Sequence, residues 1–182
     1  MKSVINFFNK PLLKLPLFFG VIAGVVCFLF FLLVQSLEKF SSTSRALDVG
    51  FFTIIIAAAT WYYRKKVGQG YLHMWEGISI GYVVWITGAL VCGYLSSLYF
   101  HFSPKALAHY QGILRQSLLV NKAEAIKVWG NESFQQKLAD IDKLEPSSFI
   151  FDEFRFTLML VVMPILLISL VLRKQHPNSL SR

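Results

Sequence analysis

His73 and Glu76 stand three residues apart, a spacing that puts both on one face of a helix and would suit a metal ion or a proton relay. Either role needs a third group. Asp48 has the right chemistry, but it belongs at the opposite end of the apolar segments that frame it, so the pair reads first as a polar anchor at an interface. His101 and His109, eight apart around a helix start, match no ligand geometry and read as structural or solvated side chains. Asp48 and Arg155 each fall near the same end of an apolar segment, and an ion pair between them would fix helix packing rather than conduct protons. No nucleophile elbow, HExxH or paired-carboxylate arrangement occurs, and Gly68 and Gly70 lack the Lys and Ser/Thr that make a phosphate loop. An enzyme would need several of His73, Glu76, His101 and Asp152 to converge, which the order of the segments opposes. The expectation is a protein without catalysis, cofactor or metal.

The elements that hold these groups are apolar and long. Residues 78–100 run twenty-three positions without Asp, Glu, Lys or Arg. At about 1.5 Å per residue that is roughly 35 Å of helix, enough to cross a hydrocarbon core of about 30 Å. Three more segments follow the same logic: 17–37, 46–63 with Asp48 within a turn of its boundary, and a shorter one at 156–172 with Pro164 inside it. The first is too long for a signal peptide and has no small-residue cleavage site. Pro11 and Pro16 limit any helix ahead of it. Composition agrees, with 55% hydrophobic and 15% charged residues and a mean hydropathy of +0.54, more apolar and less charged than the average soluble domain. Cys27 and Cys92 both lie inside apolar runs, which argues against a disulfide or a zinc site.

Between the third and fourth spans, residues 103–152 change character. Ser103 and Pro104 open a helix whose Leu107, Tyr110, Ile113, Leu114 and Leu118 share one face, as far as Gly130. Asn131 can cap a second, with Phe134, Leu138, Ile141 and Leu144 on one side, and Pro146 ends it. These are amphipathic helices that lie on a membrane or fold back over the bundle. Small residues recur at helical spacing in the first and third spans, Gly20 and Gly24, then Gly77, Gly81, Gly88 and Gly93, where a neighbouring backbone can approach closely. The expected fold is all-α: an integral membrane four-helix bundle with an amphipathic helical segment between its third and fourth spans.

Charge gives the orientation. With the amino terminus inside, the inner segments hold Lys2, Lys10, Lys14, Arg64, Lys65, Lys66, Arg173, Lys174 and Arg182 against Glu76 alone, which is the whole net charge of +8. Acids and bases on the outer side balance. Both termini are therefore expected in the cytoplasm, and the basic balance needs no nucleic-acid partner. The bilayer is the implied partner, with another membrane protein or a second copy as further partners.

The basic exit YYRKKVGQG, the Gly-Tyr-x-x-x-x-Glu-Gly entry into a glycine-bearing third span, the helical outer segment and the ending LVLRK resemble an uncharacterised family of small four-helix membrane proteins from Bacteroidota, domain-of-unknown-function family 4199. The resemblance covers nearly the whole chain. It implies a bacterial inner membrane and a four-span fold, and it carries over no catalytic residue. Two functions fit: an accessory or scaffold subunit acting through helix packing and its outer segment, or a small transporter or lipid-handling protein with a polar path past Thr60, Thr87 and Ser96.

Overall fold

A computed structural model describes residues 11–36 and 42–174; the side chains of 42–46, 151–157 and 159 lie outside the description. The described chain is helical throughout: α1 (Pro11–Ser36), α2 (Ser42–Lys66), α3 (Met74–Phe102), α4 (Pro104–Val120), α5 (Lys122–Trp129), α6 (Asn131–Asp142) and α7 (Ser148–Leu172). Among the described residues no strand forms; one isolated antiparallel bridge joins Leu72 to Lys174. By length and composition, α1 and α3 can each cross a bilayer, and Leu160–Leu172 is a shorter apolar helix.

Helix ends overshoot the apolar runs. The first helix begins at Pro11, where a proline removes only an N–H that has no intrahelical partner, and it passes through Pro16 without a break in the assignment. The last begins at Ser148, two residues after Pro146, and carries Pro164 inside it without a break in the assignment. The segment expected as one helix up to Gly130 is two, divided at Asn121, whose side-chain amide donates to the Ser117 carbonyl at 3.2 Å. Gly130, at φ 81°, takes the N-cap position of α6 that Asn131 was expected to fill.

The four long helices pack against one another with α3 at the centre, touching α1, α2 and α7. Gly20 lies against Val84 and Thr87, and Gly24 against Gly88 and Val91, so α1 and α3 run parallel. Ring contacts between Phe19 and Tyr62 (6.0 Å) and between Phe30 and Phe51 (5.1 Å) show α2 running the other way. Gly77 against Ser169, Gly81 against Ile165 and Gly93 against Ile150 set α7 antiparallel to α3. The chain therefore goes up, down, up and down. Ala23, Cys27, Phe52, Ile56, Ile80, Val84, Trp85, Val161 and Ile165 form the buried core. Outward faces remain apolar, with Phe18, Leu29, Ile54, Leu90, Leu167 and Leu170 all exposed. A helix apolar on every side is suited to a core or to lipid.

At the upper end α4 packs onto the bundle, and α5 and α6 pack against α4 and against each other. A second buried cluster of Phe100, Tyr110 and Phe149 joins α3, α4 and α7. Their rings lie 4.4 Å (Phe100 to Phe149) and 5.4 Å (each to Tyr110) apart, and Phe31 of α1 closes the group at 5.8 Å from Phe100. Gln111 Nε2 donates to the Leu144 carbonyl at 3.3 Å, tying α4 to the segment after α6. The insertion thus covers the bundle at least where α4 begins.

The glycines give a test of the packing. A Cβ at Gly24 would come 2.6 Å from the Gly88 carbonyl oxygen, and one at Gly81 would come 2.8 Å from Ile165 Cγ2. At Gly50 and Gly112 nothing lies within 4 Å. Gly24→Ala should destabilise the purified protein by about 1–3 kcal/mol through overpacking. Gly50→Ala and Gly112→Ala should stabilise it by about 0.5–1 kcal/mol, the usual gain from replacing glycine inside a helix. Unfolding curves of the three variants check this; equal effects would contradict the packing.

Candidate functional site

The lower end of the bundle gathers the basic residues of the short loops. Lys14 on the first turns of α1, Arg64, Lys65 and Lys66 at the end of α2, and Arg173 and Lys174 after α7 all sit there, because the helices alternate in direction. Lys2, Lys10 and Arg182 lie outside the described residues. Aromatic side chains surround the cluster. Lys65 Nζ is 5.1 Å from the Trp61 ring and Lys174 Nζ 5.9 Å from the Tyr71 ring, while Trp61, Tyr62 and Trp75 are exposed. Cations resting over aromatic rings in this way suit a boundary between apolar and aqueous phases.

Residues 63–72 form a tightly wound connection. The amides of Val67 and Gly68 both donate to the Tyr63 carbonyl, Gly70 donates to Arg64, and Tyr71 donates to Gly68. Gln69 at φ 49° and Gly70 at φ 93° make the reversal, and a Cβ at Gly68 would strike the Tyr71 carbonyl. Arg64 then holds two partners at once. Its Nε donates to the Gly70 carbonyl at 3.0 Å, and its Nη1 donates to the Leu172 carbonyl at 3.3 Å. Leu172 ends α7, so the guanidinium satisfies a carbonyl without an intrahelical partner and meets the negative end of the helix dipole. Next to it Leu72 and Lys174 exchange two backbone bonds, 2.9 Å and 3.1 Å long, over a fully buried Leu72 side chain. The motifs YYRKKVGQG and LVLRK, a hundred residues apart in the chain, are bound together here.

His73 and Glu76 meet at the start of α3, where the Glu76 carboxylate accepts the backbone N–H of His73 at 2.9 Å. A carboxylate reaching back from the third helical position in this manner closes a helix N-terminus. That arrangement can hold a helix end and leaves no open ligand geometry. Asp48 is half-buried, and the expected ion pair with it lies outside the described residues because the Arg155 side chain does. The Asp152 side chain lies outside them as well. His101 and His109 line separate clefts at the upper end, beside Glu145 and beside Gln35 respectively. Among the described residues, no three His, Cys, Asp or Glu side chains are grouped so as to hold a metal ion. The six glycines at 20, 24, 77, 81, 88 and 93 all face other helices of the same chain.

The Arg64 clamp could not be read from spacing, since its acceptors are backbone carbonyls six and 108 residues away. Glu76 could have been, as a helix-closing acid at the third position, had His73 been one of the usual capping residues.

Arg64→Ala should cost about 1.5–3 kcal/mol, as for hydrogen bonds to a charged group. It should also speed hydrogen exchange at the Leu72 and Lys174 amides, which Arg64→Lys restores only in part. Unchanged exchange at those two amides would show that the clamp does not hold the end of α7.

No curated protein and no solved structure matches the chain. A family model does, over residues 18–174, from within α1 to the Lys174 that closes the backbone bridge. The chain belongs to the family described as protein of unknown function (DUF4199).

Proposed function

We propose that the protein is an integral four-helix membrane protein of a bacterial inner membrane, with both termini in the cytoplasm, acting as a non-enzymatic accessory or scaffold subunit. The observation that carries this reading is the separation of charge along the bundle. Lys14, Arg64 to Lys66, Arg173 and Lys174 lie at one end beside Trp61, Tyr62, Tyr71 and Trp75, while Arg45, at the start of α2 and near Asp48 in sequence, lies at the other. The opposite end carries the insertion of residues 103–152, where six acids balance six bases. Positive charge at one end of an apolar bundle is the signature of the cytoplasmic face. The exposed apolar side chains on all four long helices support lipid as their solvent. In this reading α2 and α7 span alongside α1 and α3, and a Bacteroidota membrane is in keeping with the resemblance of the motifs.

The six glycines are taken up by packing within the chain, so any partner would meet other surfaces. Two remain: the apolar flanks, and the outer insertion with Val120, Val128 and Trp129 exposed on it. A scaffold role through the outer insertion follows.

The reading as a small transporter has less support. Thr60 is fully buried, and its hydroxyl donates to the Ile56 carbonyl of its own helix at 2.8 Å. Ser96 is buried too, and Thr87 is pressed against Gly20. The three groups serve packing.

Reporters fused after Lys66 and after Asn131 are expected in opposite compartments, the first cytoplasmic and the second periplasmic. Signal from both in one compartment would overturn the topology. Affinity capture of the tagged full chain, compared with Val120→Asp and Trp129→Ala variants, tests the scaffold role: co-purifying subunits should be lost with the variants.

A further inference from the structure

Three of the long helices repeat one arrangement on the sides they leave open. On α1 the exposed Leu29, Val25, Ile22 and Phe18 follow one another at spacings of three or four residues, a single helix face, and the next position down that face is Lys14. On α2 Ile54 and Trp61 lead in the same way to Lys65, whose Nζ rests 5.1 Å from the Trp61 ring. On α7 Leu167, Leu170 and Val171 lead to Arg173 and Lys174, just past the helix end. In each case exposed apolar surface runs to the lower end of the bundle and stops at an exposed cation.

The fold holds these cations in place. Lys65 follows Arg64, which donates to the Leu172 carbonyl at 3.3 Å. Two backbone bonds to Leu72 pin Lys174, and its Nζ lies 5.9 Å from the Tyr71 ring. Glu76 is the one acid among the described residues of this end, and its carboxylate already accepts the His73 N–H. Among the described residues, none of Lys14, Lys65, Arg173 and Lys174 is in an ion pair.

We propose that the lower end of the bundle selects, from the leaflet around it, phospholipids whose headgroup bears net negative charge and no amine, the phosphatidylglycerol class. The acyl chains lie along the exposed stripes, and the phosphate meets the cation at the foot of each. A zwitterionic headgroup brings an ammonium as well, which finds like charge here and no open carboxylate to receive it. A soluble acidic protein or a nucleic acid would match the cations but leave the apolar stripes above them uncovered. Because Lys65 and Lys174 are already placed by rings and backbone, little side-chain freedom is lost on binding. The proposal rests on the membrane reading given above and adds to it a choice among lipids.

Trp61, one turn from Lys65 on the α2 stripe, is the reporter. In a Trp75→Phe/Trp129→Phe chain it is the exposed tryptophan, since Trp85 is 1% exposed. The full chain with those two replacements is reconstituted in phosphatidylcholine vesicles containing either brominated phosphatidylglycerol or brominated phosphatidylcholine, and the quenching of fluorescence gives the relative affinity of the two lipids. Phosphatidylglycerol should be favoured about fivefold at low salt, the contribution of one cation beside an anionic headgroup, and less so at high salt. Lys65→Gln should bring the preference below about twofold, and Lys65→Arg should keep it. Lys143→Gln, which removes the same charge at the opposite end, should leave it unchanged. The preference and its salt dependence are read on the chain that keeps all its cations, so a misfolded variant would not decide the matter. Equal quenching by the two lipids, a preference undiminished by Lys65→Gln, or equal losses in Lys65→Gln and Lys143→Gln would overturn the proposal and leave the membrane reading intact. Absence of quenching by either lipid would overturn both.

Discussion

The close approach of backbones along α3 is the constraint on which the structure depends. Gly88 receives the Gly20 carbonyl oxygen and the Phe52 ring on its side, while Gly77, Gly81 and Gly93 receive α7. Where apolar helices meet across glycines, contact area and shape hold the backbones together. With no side chains at these positions, whole helices, rather than side-chain tips, touch. A shared central helix then allows α1 and α7 to be held firmly while each keeps an apolar flank to its surroundings.

The two ends of the bundle are closed by different physics. At the lower end polar groups do it: the Arg64 guanidinium and the Leu72 to Lys174 bridge engage backbone carbonyls and amides that the end of α7 leaves open. At the upper end aromatic area does it, with Phe31, Phe100, Tyr110 and Phe149 drawn from four helices into one cluster. The difference follows the neighbours. A ten-residue loop can fold back on a helix end, whereas a long insertion needs a buried anchor before its own helices can settle.

Much of this was legible in the residues. Uncharged runs located the long helices, the change of composition after Ser103 marked the insertion, and small residues at helical spacing marked close packing. Boundaries were less so, because helices extend past the apolar window into polar turns: α1 starts at Pro11 and α7 at Ser148, well before the runs that identify them. Periodicity also could not show that Asn121 divides the outer helix, since the apolar face runs on across it. Spacing alone did not say which helix each glycine would face, nor that a lone Gln35 would be buried with one carbonyl oxygen unmet. Such facts come from pairs of residues far apart, and a local pattern holds no record of them.

The position of α7 in chain order has a temporal consequence. When α3 leaves the ribosome, one of its glycine-lined sides has its partner already made, while the other must wait for some 45 residues between Phe102 and Ser148. At roughly 5–20 residues per second, translation leaves that groove open for about 2–9 s. Throughout that interval the nascent bundle exposes a helix-sized slot, which stays unfilled until the final helix arrives.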